Sequence, residues 1–194
     1  MSAGEQFTGW GYVSLVVDSF ATRGINNACT GGPNGARQAD AMGALIYLSK
    51  LPFVDPRRIA VVGYSQGGMV SLEVASARPF DLFEMPSGLK FKAAVAYYPL
   101  CNAAADELAI PTIIFIGAVD DWALPTECES FMRRRNGKGA PVTLIEYPGA
   151  YHDFDIPEVG AGTRYFGHWL KYDADADERS RAAMHDFLAR ELSN

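Results

Sequence analysis

Ser65 stands within Gly63-Tyr64-Ser65-Gln66-Gly67-Gly68, between the apolar run Ile59–Val62 and a helical pattern that follows. A strand, a sharp turn and a helix are what a nucleophile elbow requires. The serine takes a strained backbone conformation that lifts its hydroxyl clear of the sheet, and the flanking glycines keep other side chains out of the turn. The helix opening at Gln66 aims its leading N–H groups at the site, where they can hold an oxyanion. A serine hydroxyl attacks only if a base takes its proton, and the base needs an acid to orient it. In this architecture the acid and then the histidine follow, each after a later strand. Asp120 and Asp121 follow the run Thr112–Ile116 through Gly117, and His152 lies in Pro148-Gly149-Ala150-Tyr151-His152-Asp153 after the run Val142–Tyr147. Both aspartates remain candidates. Of the other histidines, His168 in Gly167-His168-Trp169 reads as a packing or surface group, and His185 falls inside the last helical pattern as a structural one.

The elements that must hold these residues are legible as short, continuous, β-branched runs: Tyr12–Val17, Ile59–Val62, Ala93–Tyr98, Thr112–Ile116 and Val142–Tyr147. Such runs suit strands buried on both faces of a parallel sheet. Helical patterns lie between them, at Ala39–Leu48, Met69–Ala77, Pro125–Arg135 and Asp177–Leu192. The alternation predicts one α/β domain over residues 1–194, with a mostly parallel sheet of about five strands and helices on both faces. Active sites in such sheets lie at the carboxyl ends of the strands. The run Asp173-Ala174-Asp175-Ala176-Asp177 places carboxylates ahead of the last helix, at the positive end of its dipole.

Composition narrows the function. The chain has 194 residues, 48% of them hydrophobic, which is enough for one sizeable core. With 17 Lys and Arg against 23 Asp and Glu it has no basic field for nucleic acid. Its longest apolar runs stop at about ten residues, short of the roughly twenty that span a bilayer. No cationic stretch followed by an apolar one opens the sequence, so the expected compartment is the cytoplasm. Cys29, Cys101 and Cys128 lack C-x-x-C spacing, so zinc, dithiol and haem chemistry are unsupported and no metal or cofactor is expected. Three buried thiols are the default. The alternative is a Cys101–Cys128 disulfide across adjacent strands, which would suit a periplasmic or secreted protein.

Val17-Asp18-Ser19-Phe20 with Arg23-Gly24, the Ser65 elbow, Tyr97-Tyr98-Pro99-Leu100-Cys101, Gly117-Ala118-Val119-Asp120-Asp121-Trp122 and Tyr147-Pro148-Gly149-Ala150-Tyr151-His152-Asp153-Phe154 together resemble the dienelactone hydrolase family of the α/β-hydrolase fold. The resemblance runs from about Gly11 to the C-terminus. It implies a triad of Ser65, Asp120 and His152, an ester or lactone substrate of small to medium acyl size, and no cofactor. The G-x-x-D pattern of the family favours Asp120, whereas the spacing back from Pro125 suits Asp121. The best-known members carry a cysteine nucleophile; Ser65 matches the serine-type relatives and points to a carboxylesterase.

Members of the family also begin with additional strands and a Gly-containing loop that gives the second oxyanion donor. The chain is expected to lack these. Either Tyr12–Val17 pairs directly with Ile59–Val62, bringing Ser19 to the oxyanion site beside Gln66, or a second copy covers the open edge and gives a homo-oligomer. Tyr64, Trp122, Tyr151 and Phe154 are candidates for an apolar acyl pocket, and Arg23 for a substrate carboxylate or a neighbouring acid. The rival reading is a non-catalytic binding protein on the same fold, or a weakly active truncated fragment.

Overall fold

Every residue of the runs Ala93–Tyr97 and Thr112–Gly117 is buried, as strands covered on both faces must be. The structure, a computed structural model, describes residues 3–25, 34–76 and 85–193. Its main sheet has four parallel strands in the order β1 (Ala60–Tyr64), β2 (Ala93–Tyr97), β3 (Thr112–Gly117) and β4 (Val142–Tyr147). Tyr64 lies opposite Tyr97, Tyr97 opposite Phe115, and Gly117 opposite Tyr147. The carboxyl ends therefore meet along one rim.

Five helices accompany the sheet among the described residues: α1 (Ala3–Gly9), α2 (Asn34–Ser49), α3 (Gln66–Val74), α4 (Pro125–Arg135) and α5 (Ala174–Leu192). Pro125 opens α4, where a missing N–H costs nothing, and Asn136 closes it in the left-handed region at φ 44°. The last helix starts earlier than the expected Asp177. Asp173 accepts a hydrogen bond from the Ala176 N–H and caps it, leaving Asp175 and Asp177 in its first turn. Of the expected helix Met69–Ala77, Ala77 lies outside the described residues, as does Cys29.

Two expectations are corrected here. Tyr12–Val17 forms no strand, so the main sheet has four strands among the described residues instead of about five. A β-branched run carries only a preference, which needs a paired neighbour to become a strand. Here the segment joins no sheet, and Val13, Leu15, Val16 and Val17 are exposed. It does not pair with β1, because a cleft of about 700 Å³ separates them, lined on its walls by Phe7, Leu45, Leu48, Leu188 and Leu192. Ile59 accepts from the Lys92 N–H and the Ser65 N–H donates to Tyr97. Odd-numbered residues of β1 thus turn their backbone groups to β2, and Ala60, Val62 and Tyr64 turn theirs to the open edge. The second correction concerns the thiols: Cys101, in a turn after β2, and Cys128, in α4, form a disulfide.

A hairpin that the apolar pattern did not announce, β5 (Thr163–Tyr165) and β6 (His168–Leu170), joins the His152 loop to α5. Phe166 and Gly167 turn it, with φ of 49° and 89°, the two positive values of a type I′ turn. No helix among the described residues is long and apolar enough to cross a membrane.

Candidate active site

Ser65 joins β1 to α3 at φ 51° and ψ −115°, outside the regions that side chains favour. The turn is tight enough to dictate its glycines. A Cβ on Gly63 would stand 1.9 Å from the Gly67 carbonyl oxygen, and one on Gly68 2.7 Å from that of Tyr97. Ser65 is held by its N–H donating to Tyr97 at 2.9 Å, while its carbonyl accepts from Met69 at 3.1 Å.

His152 arrives from the loop after β4, and Asp120 from the loop after β3. The two loops are stitched together: the Ala118 N–H donates to Tyr147 at 2.9 Å and the Val119 N–H to Ala150 at 3.1 Å. Gly117 permits the approach, since a Cβ there would stand 2.2 Å from the Ala150 oxygen. His152 Nε2 then lies 3.0 Å from Ser65 Oγ, and its Nδ1 lies 2.8 Å from Asp120 Oδ2. The other carboxylate oxygen of Asp120 accepts from the Trp122 and Ala123 N–H groups, each at 2.9 Å. Asp120 is 2% exposed and His152 3%. Buried between these donors, the carboxylate can hold the imidazole with its proton on Nδ1, leaving Nε2 to accept the serine proton.

Asp121 turns the other way. Its Oδ1 accepts from the Trp169 N–H at 2.9 Å, and its carbonyl lies 2.9 Å from His168 Nδ1. Of the two aspartates that sequence left open, Asp120 faces the histidine and Asp121 ties down the β5–β6 hairpin. His168 is thus the packing group of the two readings that sequence offered. It stacks on Trp122 at 4.8 Å, and Trp122 lies 5.2 Å from the His152 ring.

Tyr98 was legible only as part of a motif. Its ring centroid lies 4.5 Å from that of His152, at a strained φ of 35°. Its hydroxyl donates to Asp155 at 2.7 Å. Burial pushes the Asp155 carboxyl up to about 6, with the Tyr98 hydrogen bond opposing. Asp153 Oδ1 stands 4.0 Å from His152 Nε2, and its pKa is raised, chiefly by burial. Arg37 of α2 reaches the elbow from the other side, donating to Gln66 Oε1 at 2.7 Å with its guanidinium over the Phe20 ring. Burial lowers its pKa. No sequence pattern marks Arg37, because its contact joins helices 29 residues apart.

The chain belongs to the dienelactone hydrolase family. Residues 4–192 match the dienelactone hydrolase family. An uncharacterised protein of Caenorhabditis elegans is 26% identical over 164 residues, covering 82% of this chain and 96% of its own. Among solved structures, a dienelactone hydrolase-like promiscuous phosphotriesterase from metagenomic libraries is 24% identical, with a TM-score of 0.60 over 81% of this chain. An esterase from Thermogutta terrifontis is 18% identical, with a TM-score of 0.58 over 79%. The matches span 63% of each of those longer chains. These likenesses establish the α/β-hydrolase fold.

The remaining expected site residues divide. Gln66 is the first residue of α3, so its N–H belongs to the leading turn of that helix. Ser19 is buried beside Arg23 and Asp40: its carbonyl accepts from Arg23, which is paired bidentately with Asp40. Arg23 therefore meets a neighbouring acid. Trp122 and Tyr151 lie in the loops around His152, with Tyr151 6.4 Å from Trp169. Phe154 is fully buried against Tyr97, Tyr98 and Tyr147, because its loop folds back into the core. Tyr64 stacks on Tyr97 at 4.8 Å and is among the residues lining the cleft beside β1.

Proposed function

We propose that this chain is a serine hydrolase that cleaves carboxylic esters or lactones by two-step acyl transfer. The observation that carries the reading is the unbroken chain from Ser65 Oγ through His152 to Asp120, with contacts of 3.0 and 2.8 Å. His152 Nε2 takes the Ser65 proton as Oγ attacks the ester carbonyl. The Gln66 N–H stabilises the oxyanion, and the same Nε2 proton passes to the leaving alcohol as the C–O bond breaks. Water, deprotonated by His152, then attacks the acyl-serine and releases the acid. Family membership and the activities that the two solved structures are named for, an esterase and a phosphotriesterase, support ester chemistry. The Cys101–Cys128 bond favours an oxidising working environment.

The test is hydrolysis of short- and medium-chain p-nitrophenyl esters by the wild type and by Ser65→Ala, matched for folding by circular dichroism. Turnover that disappears with Ser65 is the expected result. Equal turnover in both refutes Ser65 as the nucleophile, and none in either refutes the hydrolase reading and leaves a binding protein or an inactive fragment on the same scaffold.

A further inference from the structure

An unbroken series of rings leads outward from the triad. His152 neighbours Trp122 at 5.2 Å; Trp122 stacks on His168 at 4.8 Å, with planes 16° apart, and lies 6.1 Å from Tyr165; Tyr165 meets Phe166 edge-on at 4.6 Å. The hairpin register makes this a single face. Tyr165 and His168 are direct cross-strand partners and point to the same side, whereas Arg164 and Trp169 form the next pair on the opposite side. On that opposite side Arg164 lies over the Trp169 ring and Trp169 lies against Gly162.

The outer rings are not there for the core. Tyr165 is 40% exposed and Phe166 56%, and all of β5 is exposed. Phe166 occupies the first central position of a type I′ turn, which Asn, Asp or Gly normally fill because a bulky side chain is strained there. The hairpin is nonetheless fixed to the active site. Asp121, adjacent in sequence to the triad aspartate, receives the Trp169 N–H and contacts His168. An aromatic surface without a core role, held to the loop that carries the triad acid, has the form of a substrate subsite.

We infer that this face binds a flat aromatic group of the ester substrate, so that the enzyme prefers aryl-bearing esters to saturated esters of the same size and reactivity. The inference rests on the serine-hydrolase reading and names the substrate class of that site. A ring in the acyl or the alcohol portion would lie along the Trp122–Tyr165 face while the carbonyl meets Ser65.

Two substrate pairs test it. Benzyl acetate against cyclohexylmethyl acetate places the ring on the leaving alcohol; methyl phenylacetate against methyl cyclohexylacetate places it on the acyl group. In at least one pair the aromatic ester is expected to have the higher kcat/KM by about two- to tenfold, the range of an aromatic pair beyond simple burial. The double variant Tyr165→Ala, Phe166→Ala should bring that ratio towards one, and Tyr47→Ala, which removes an exposed ring from α2, should leave it unchanged. Ratios near one in both pairs, or a preference indifferent to the double variant, overturn the inference while the hydrolase reading stands.

Binding is measured separately on Ser65→Ala, by tryptophan fluorescence with 4-phenyl-2-butanone, the ketone counterpart of benzyl acetate, against 4-cyclohexyl-2-butanone. Tighter binding of the phenyl ketone, lost in the double variant, supports the subsite even if no ester is cleaved. Equal binding of the two ketones together with absent turnover overturns both readings.

Discussion

Replacing Asp120 by Asn is the sharpest test of how the site works, because the structure dictates which way the new amide must face. Asp120 Oδ1 accepts from two backbone N–H groups at 2.9 Å. Turning an amide NH2 towards those donors would leave buried groups unsatisfied, at about 1–3 kcal/mol each. The amide oxygen of the variant therefore stays with Trp122 and Ala123, and its NH2 faces His152 Nδ1, which lies 2.8 Å from the carboxylate oxygen it replaces. Nδ1 must then accept, the ring proton moves to Nε2, and Nε2 can no longer take the proton of Ser65. Loss of the correct tautomer costs about 10⁴ in kcat, or about 5 kcal/mol. The fold should survive, since the substitution keeps shape and both backbone contacts. Asp121→Asn is the matched control: an amide oxygen can still accept from Trp169, so turnover should stay within about threefold, a barrier change well under 1 kcal/mol. Steady-state hydrolysis of a p-nitrophenyl ester by the two variants and the wild type decides the matter. Asp120→Asn retaining more than about a tenth of the wild-type rate, or Asp121→Asn falling as far, would refute the reasoning.

Four further outcomes are expected. Asp155→Asn removes a carboxyl that burial raises from 3.8 to about 6; the wild type binds this proton more tightly folded than unfolded, so its stability falls as pH rises from about 4 to 6. The variant should gain up to about 3 kcal/mol at pH 8 and nothing below pH 4, measured by urea denaturation at both. Gly63→Ala drives a Cβ against the Gly67 backbone, and chemical denaturation should show a loss of about 3 kcal/mol or more. Opening the Cys101–Cys128 bond, which closes a loop over a sequence separation of 27, should cost about 3 kcal/mol, seen as a lower midpoint in reductant; a full count of free thiols in the unreduced, denatured protein would contradict the bond itself. The open edge of β1 should drive two copies together, and sedimentation showing a monomer at every accessible concentration would argue against that.

What the sequence made legible follows its physical determinants. Val142–Tyr147 and Pro125–Arg135 were read with their bounds intact, because apolar continuity, an N-terminal proline and a terminal Asn-Gly are local signals. Tyr12–Val17 carries the same local signal and still forms no strand, since pairing depends on a neighbour that composition cannot reveal. Ser65, His152 and a pair of candidate aspartates stood out from the glycine-flanked elbow and from the order of three residue types after three strands, and the structure brings Ser65, His152 and Asp120 into hydrogen-bonding reach. The choice between Asp120 and Asp121 was not legible, because adjacent residues in a loop diverge according to backbone turns that leave no trace in residue type. The hairpin escaped for a similar reason. Its strands span only three residues each, and its turn carries Phe166 where an Asn-Gly pair would have announced it.

Backbone strain shows where local rules yield to the site. Among the described residues, five other than glycine have positive φ: Ser65, Tyr98, Asn136, Asp153 and Phe166. Asn136 closes α4, a role in which the left-handed conformation is ordinary. The other four gather at the proposed chemistry. Ser65 is the proposed nucleophile, Tyr98 flanks the His152 ring, Asp153 stands 4.0 Å from Nε2, and Phe166 ends the aromatic face. Each such conformation costs on the order of 1–3 kcal/mol and persists only where surrounding contacts impose it. Those contacts are identifiable: Ser65 and Tyr98 are held by hydrogen bonds to Tyr97 and Phe115, and Asp153 is followed by fully buried Phe154. The core strands therefore fix the reacting groups in conformations that their own residue types resist, and an unpatterned surface loop would relax out of that arrangement. Phe166 has no such core anchor, and its strained, exposed place at the tip is the strongest reason to look for its role in what the proposed enzyme binds.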